Sequence, residues 1–84
     1  MREIILTATA EDFVLKYFRT EKMEGTARFY GIAAEKYIND ALADNSSTGP
    51  LSEDAEYVER LMACLAKNTV TPMVLCEVLD DIIV

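Results

Sequence analysis

The residue types best able to do chemistry in this sequence are carboxylates, and the adjacent pairs Glu53-Asp54 and Asp80-Asp81 are the candidates for metal ligands. A calcium-binding loop needs oxygen ligands at several alternating positions around a glycine, with a closing glutamate, and neither pair lies in such a pattern. The chain contains no histidine, which removes the commonest general base and the nucleophilic triads that depend on it. We therefore predict a protein that is not an enzyme and has no catalytic residues, no metal ligands and no cofactor.

The two cysteines, Cys64 and Cys76, lack the sequence surroundings of a reactive or metal-binding thiol. They lie twelve residues apart, and two thiolates without any histidine cannot supply the four ligands of a usual zinc site. Lys67, three residues after Cys64, is the cation nearest to either cysteine in the sequence, so little stabilises a thiolate. We interpret both cysteines as small apolar residues of the core.

The apolar segments are too short for a membrane span or a secretion signal. No stretch reaches the roughly 20 apolar residues that a spanning helix needs. Residues 1–10 hold only a short aliphatic cluster, whereas a signal peptide has a longer apolar centre. We expect a cytoplasmic protein that does not contact a membrane.

The negative charge is concentrated in the second part of the chain. The chain has 8 Lys and Arg against 15 Asp and Glu, a net charge of −7. Residues 1–30 hold five basic and five acidic residues, whereas residues 31–84 hold three basic and ten acidic ones. Basic and aromatic residues interleave between Lys16 and Tyr30, as in stacking surfaces for single strands, but helical periodicity assigns several of these aromatics to the core. Since the acidic part repels phosphates, we predict no direct binding of nucleic acid.

Apolar residues recur at helical spacing in four segments, residues 9–24, 26–44, 52–68 and 72–83. Each segment begins with a residue or residue pair that favours a helix start, and Gly25 follows the first segment as a stop signal. The pattern predicts an all-α fold, a small four-helix domain. The predicted core stripes are Phe13, Val14, Tyr17 and Phe18, then Tyr30, Ala33, Ala34, Tyr37, Ile38 and Ala41, then Tyr57, Val58, Leu61, Met62 and Leu65, and finally Leu75, Val78, Leu79 and Ile82.

We predict a single domain over residues 1–84, because neither half is large enough to fold alone. Residues 45–50 read Asn-Ser-Ser-Thr-Gly-Pro, and this run of small polar and breaker residues indicates a flexible loop between the two helical halves. Residues 2–8 contain the aliphatic run Ile4-Ile5-Leu6, and they favour a short N-terminal strand, an extended arm or an early start to the first helix.

An apolar second face on the second predicted helix gives the first candidate for a binding surface. On a helix, Phe29 and Ile32 point away from the main stripe, beside Lys36. This arrangement leaves two alternatives. Either another helix or the N-terminal arm covers Phe29 and Ile32, or these two residues form a surface for self-association or for a partner protein. The candidate interface combines these three residues with carboxylates of the third and fourth helices: Phe29, Ile32, Lys36, Glu56, Glu59, Glu77, Asp80 and Asp81.

These features favour a non-enzymatic protein-binding module of the kind found among small acidic inhibitors and immunity or anti-defence proteins of phages and mobile elements. An acidic face can occupy a basic groove meant for nucleic acid, and charge steering speeds the encounter. The partner is then another protein, such as a nucleic-acid-binding one. The alternative is a small helix-turn-helix DNA-binding regulator, built on the short joint at residues 68–71, although its recognition helix would carry Glu77, Asp80 and Asp81 and no cation.

Overall fold

The structure is a computed structural model that describes residues 2–83, with side chains described for residues 6–82. Four strands form one antiparallel sheet in the order β1-β2-β3-β4, and two short helices follow. The elements are β1 (Arg2–Thr9), β2 (Val14–Glu24), β3 (Ala27–Ile38), β4 (Ala41–Ser47), α1 (Ala55–Lys67), a 3₁₀ turn (Pro72–Val74) and α2 (Leu75–Ile83).

The prediction of an all-α, four-helix domain is wrong, because strands make up 45% of the chain. The predicted first and second helices are β2 and β3. The misleading signal was the adjacent apolar pairs, such as Tyr17-Phe18 and Ala33-Ala34, which fit a broad helical stripe. In the strands their members alternate to opposite faces of the sheet, and all four residues are buried. The aromatic and β-branched content of both segments favours this outcome.

Two tight turns close the hairpins that the helical prediction overlooked. Gly25 has φ of 64° in the two-residue turn between β2 and β3, so it supplies a positive φ rather than a helix stop. Asn39 and Asp40 have φ of 53° and 65° in the turn between β3 and β4. Positive φ at both central residues is the pattern of a type I′ turn, whose twist suits antiparallel strands. The predicted second helix runs straight through this turn.

The segment predicted as a flexible loop at residues 45–50 begins as a strand, since β4 continues to Ser47. The chain then stays paired with the edge of β3. The Thr48 amide donates to the Ile32 carbonyl at 2.8 Å, and the Tyr30 amide donates to the Ser52 carbonyl at 2.8 Å. The intervening residues bulge toward Gly31, where a Cβ would lie 2.7 Å from the Gly49 carbonyl oxygen.

The two helices of the second half agree with the sequence prediction. Residues predicted as 52–68 and 72–83 contain α1 and α2. Asp54, rather than Ser52, caps α1, because its carboxylate accepts a hydrogen bond from the Tyr57 amide at 3.3 Å. Pro72 begins the 3₁₀ turn that leads into α2, consistent with the preference of proline for a first helical position.

The core lies between the helices and one face of the sheet. Tyr17 is completely buried in it, and Arg19 reaches from the same face of β2 to Glu59 of α1, with 2.7 Å between Nη1 and Oε2. The buried cluster comprises Leu15, Tyr17, Ile32 and Ala34 of the sheet with Val58, Leu61, Met62, Leu65, Val70, Leu75 and Leu79.

The opposite face of the sheet carries neither of the two described helices, and we refer to it as the open sheet face. Phe18 and Ala33 are paired across β2 and β3 at its centre and lie outside the core cluster. By strand alternation its central strands contribute Val14, Lys16, Phe18, Thr20 and Lys22 of β2 and Phe29, Gly31, Ala33, Glu35 and Tyr37 of β3.

Candidate protein-interaction surface

The three residues predicted to share an exposed apolar face do not share one. Ile32 is completely buried against the helices. Phe29 is three residues away on the same strand, so it points to the open sheet face, where it is half-buried. The Lys36 ammonium lies 4.7 Å from the centre of the Phe13 ring and covers the edge of the core. A strand therefore separates residues that a helix would have grouped.

The carboxylates of α1 have two different environments. Glu56 is exposed on the first turn. Glu59 binds Arg19, whose guanidinium also stacks 4.6 Å from the centre of the Tyr30 ring. Since the Arg19 side chain is only 11% exposed, this contact fixes α1 against the sheet, and Glu59 has a structural role.

The last helical segment carries both exposed carboxylates and exposed apolar side chains. We define the α2 surface as the exposed residues of this segment: Met73, Cys76, Glu77, Asp80, Asp81 and Ile82. Met73 is 83% exposed and Ile82 is 43% exposed. The segment 72–83 contains no lysine or arginine. A surface that mixes large apolar side chains with unbalanced carboxylates is suited to a partner that is both apolar and basic.

Three residues of the α2 surface, Met73, Cys76 and Ile82, were missed by reasoning from the sequence. Met73 directly follows Pro72 and precedes Glu77 and Asp80 by about one and two helical turns. This spacing could have indicated that Met73 lies on the same side of the helix as the two carboxylates. Ile82 was assigned to the core stripe because it lies three residues after Leu79. The helix ends at Ile83, and the buried stripe ends with Leu79.

A cleft of about 230 Å³ adjoins the α2 surface, between α2 and the chain that follows β4. Leu51 and Leu79 provide apolar walls, and Asp80 supplies a carboxylate. The hydroxyl-bearing residues Ser47 and Thr48 line the same cleft. An arginine or lysine side chain has the matching chemistry, because its methylene stem packs on apolar walls while its cation pairs with a carboxylate.

Among the side chains that the structure describes, residues 6–82, no group of three or more His, Cys, Asp or Glu is arranged to hold a metal ion. Cys64 and Cys76, interpreted from the sequence as core residues, are both exposed free thiols. Neither described helix is long and apolar enough to cross a membrane.

The comparisons with known proteins give a family and no relative of known activity. No curated protein and no solved structure matches the chain significantly. The family model DUF6514, described as a family of unknown function, matches residues 2–84. Because this match spans nearly the whole chain and therefore the sheet and both helices, the protein belongs to the DUF6514 family.

Proposed function

We propose that this protein is a non-enzymatic binding module of the cytoplasm that docks a basic partner protein on its α2 surface. The observation that carries the proposal is the cleft beside α2, whose apolar walls Leu51 and Leu79 accompany the carboxylate of Asp80. A cation of the partner would enter this cleft, while the exposed Met73 of the same helical segment would supply a further apolar contact.

The charge distribution supports a basic partner. Residues 48–83 hold seven acidic side chains and two basic ones, so the helical side of the molecule attracts cationic surfaces. Such attraction raises the rate of association and weakens as salt is added. A protein whose basic groove binds nucleic acid fits this description, and occupying that groove would make the module an inhibitor.

The test is a charge reversal on α2 with a matched reversal elsewhere. Asp80→Lys with Asp81→Lys should abolish capture of the partner from a host lysate, because it removes the carboxylate of the cleft and inverts the local charge. Glu11→Lys with Asp12→Lys changes the net charge equally, but it alters an exposed acidic pair in the loop between β1 and β2. The second variant should retain the partner, which mass spectrometry identifies and titration at two salt concentrations then quantifies.

Two results would overturn the proposal. One is equal loss of the partner in both variants, since capture would then depend on net charge alone. The other is micromolar binding of duplex DNA that falls steeply with salt, as the helix-turn-helix alternative predicts. Against that alternative, α2 offers three carboxylates and no cation to the phosphate backbone.

A further inference from the structure

The joint between α1 and α2 holds a threonine in a backbone conformation that threonine rarely adopts. Thr69 has φ of 52°, in the left-handed region, where Cβ lies too close to the carbonyl oxygen that follows it. Glycine, asparagine and aspartate occupy this region far more readily than a β-branched residue does. The other described residues with a positive φ are Gly25, Asn39 and Asp40, and each is of one of those three types. Thr69 is therefore the position at which the described backbone is strained.

The strained angle is part of the motif that ends α1. The Val70 amide donates to the Leu65 carbonyl at 3.0 Å, and the Thr69 amide donates to the Ala66 carbonyl at 3.2 Å. These two hydrogen bonds form a Schellman motif, in which the residue with positive φ is usually glycine. Val70 and Leu65 are both buried in the core, and their burial offsets the strain at Thr69.

The residues on both sides of Thr69 are held by further hydrogen bonds. The Asn68 side-chain amide donates to the Cys64 carbonyl at 2.8 Å. The Val70 carbonyl accepts a hydrogen bond from the Tyr17 hydroxyl of the sheet. A strained backbone angle persists where the surrounding structure fixes it from several directions. The angle at Thr69 is therefore maintained by α1 and β2, which lie before the joint in the sequence.

Beyond the joint, the chain is held to the rest of the domain by apolar packing. Leu75 and Leu79 of α2 are buried, and so is Pro72 of the preceding turn. Among the residues that the structure describes, no hydrogen bond or ion pair connects residues 72–82 with the sheet or with α1. The attachment of this segment therefore depends on a few side chains and on the conformation of the joint.

Undocking of this segment would relieve the strain. Once α2 leaves the sheet, Thr69 can return to an ordinary negative φ, so the strain favours the undocked state. The sheet gains nothing comparable by opening, since eleven residue pairs join β2 and β3. We propose that residues 68–71 are a hinge on which residues 72–83 undock as one unit while the sheet and α1 stay folded. The strain at Thr69 sets the fraction of molecules in which α2 is undocked.

Undocking would also dismantle the cleft beside α2. Leu79 and Asp80 belong to the segment that leaves, whereas Ser47, Thr48 and Leu51 stay with the sheet. A partner that binds the cleft then binds the docked form alone, and its apparent affinity is reduced by the undocked fraction. This consequence rests on the proposed function, whereas the hinge is a property of the free chain.

Amide hydrogen exchange of the full chain without any partner, followed residue by residue by NMR, tests the hinge. The Leu75 and Leu79 amides should exchange with one common protection factor, lower than that of the Phe18 and Ala33 amides at the centre of the sheet. Thr69→Gly should slow exchange in α2 by about tenfold, because glycine adopts a positive φ without steric cost. Thr69→Asn should slow it in the same direction, which separates relief of strain from the added flexibility of glycine.

Asn39→Gly is the matched control, since Asn39 has φ of 53° in a turn outside the joint, and it should leave exchange in α2 unchanged. Two results would overturn the hinge. One is exchange of the α2 amides as slow as that of the sheet, because α2 would then open only when the whole domain unfolds. The other is exchange in α2 that neither Thr69 variant slows, as fraying of a helix end predicts. Loss of partner capture alone would overturn the proposed function and leave the hinge intact.

Discussion

The Tyr17 hydroxyl donates a hydrogen bond to the Val70 carbonyl oxygen at 2.6 Å, across 53 residues of sequence. The same hydroxyl lies 3.3 Å from the Leu65 carbonyl oxygen. Tyr17 is completely buried on β2, and the two carbonyls flank the end of α1. One side chain of the sheet therefore fixes the position at which the chain leaves α1 and turns toward α2.

Tyr17→Phe should lower the free energy of unfolding by about 1–3 kcal/mol, because it leaves a buried carbonyl without its donor and adds no compensating contact. Urea unfolding followed by circular dichroism measures the change. Tyr57→Phe is the matched control, since Tyr57 is only half-buried on α1, and it should change stability by less than about 0.5 kcal/mol. Equal effects in the two variants would show that the Tyr17 hydrogen bond contributes nothing particular.

The stability of the domain should fall at high pH because of the same side chain. Burial disfavours the phenolate and raises the pKa of Tyr17 from 10.0 to about 12. Below pH 10 Tyr17 is protonated in both the folded and the unfolded state, so the full stability of the fold is present. As pH rises from about 10 to 12, the unfolded state loses the Tyr17 proton first, and the free energy of unfolding falls. This difference in pKa between the folded and unfolded states corresponds to a loss of roughly 2–3 kcal/mol in the free energy of unfolding.

The pH prediction is measured as a difference between proteins, since lysines and other tyrosines also titrate in this range. The gap in unfolding free energy between wild type and Tyr17→Phe should narrow between pH 10 and 12. Absorbance near 295 nm should show one of the four tyrosines ionising last. A gap that is constant with pH would contradict the raised pKa.

Gly31→Ala should destabilise the protein although it adds only one methyl group. Its Cβ would lie 2.7 Å from the Gly49 carbonyl oxygen and 2.9 Å from Thr20 Oγ1, so the backbone after β4 must shift. We expect a loss of about 1–3 kcal/mol, as for other overpacked sites. Gly49→Ala is the control, because its Cβ would meet no atom within 4 Å. Similar unfolding midpoints for both variants would contradict the close approach.

The second half of the fold could be predicted because its signals were local. Apolar residues of α1 lie on one side of the helix, and Pro72 marks the start of the next helical segment. The prediction that Leu61 and Leu79 belong to the core is confirmed, since both are buried. Caps and one-sided periodicity depend on neighbours within a few residues, and a single sequence displays them directly.

The sheet could not be predicted in the same way because both faces of its central strands hold buried residues. Tyr17 packs under the helices, while its neighbour Phe18 is buried on the open sheet face. This removes the alternation of apolar and polar residues that identifies a strand. The Asn39-Asp40 pair, which forms a type I′ turn, was the strongest sequence signal against the second predicted helix. It was missed because the pair lies within the apolar stripe assigned to that helix.

The candidate surfaces were only partly visible for the same reason. Glu77, Asp80 and Asp81 come together on α2 because the helix prediction was correct there. Phe29 and Ile32 were grouped by a helix that does not exist, and the strand sends them to opposite faces. The cleft beside α2 is lined by both Ser47 and Asp80, which lie far apart in the sequence and come to the same cleft only in the folded chain.

Leu61→Ala and Leu79→Ala should each lower the free energy of unfolding by about 2–5 kcal/mol, because each leaves a cavity in the core. Leu61 of α1 is 6% exposed and Leu79 of α2 is 2% exposed. A domain of this size has a free energy of unfolding of only about 5–10 kcal/mol, so either variant should melt well below wild type. Leu42→Ala removes the same atoms from a side chain that is 51% exposed on β4, and it should melt close to wild type. If Leu79→Ala also melted like Leu42→Ala, α2 would not be packed on the sheet, and the cleft proposed to receive the partner's cation would be lost with it.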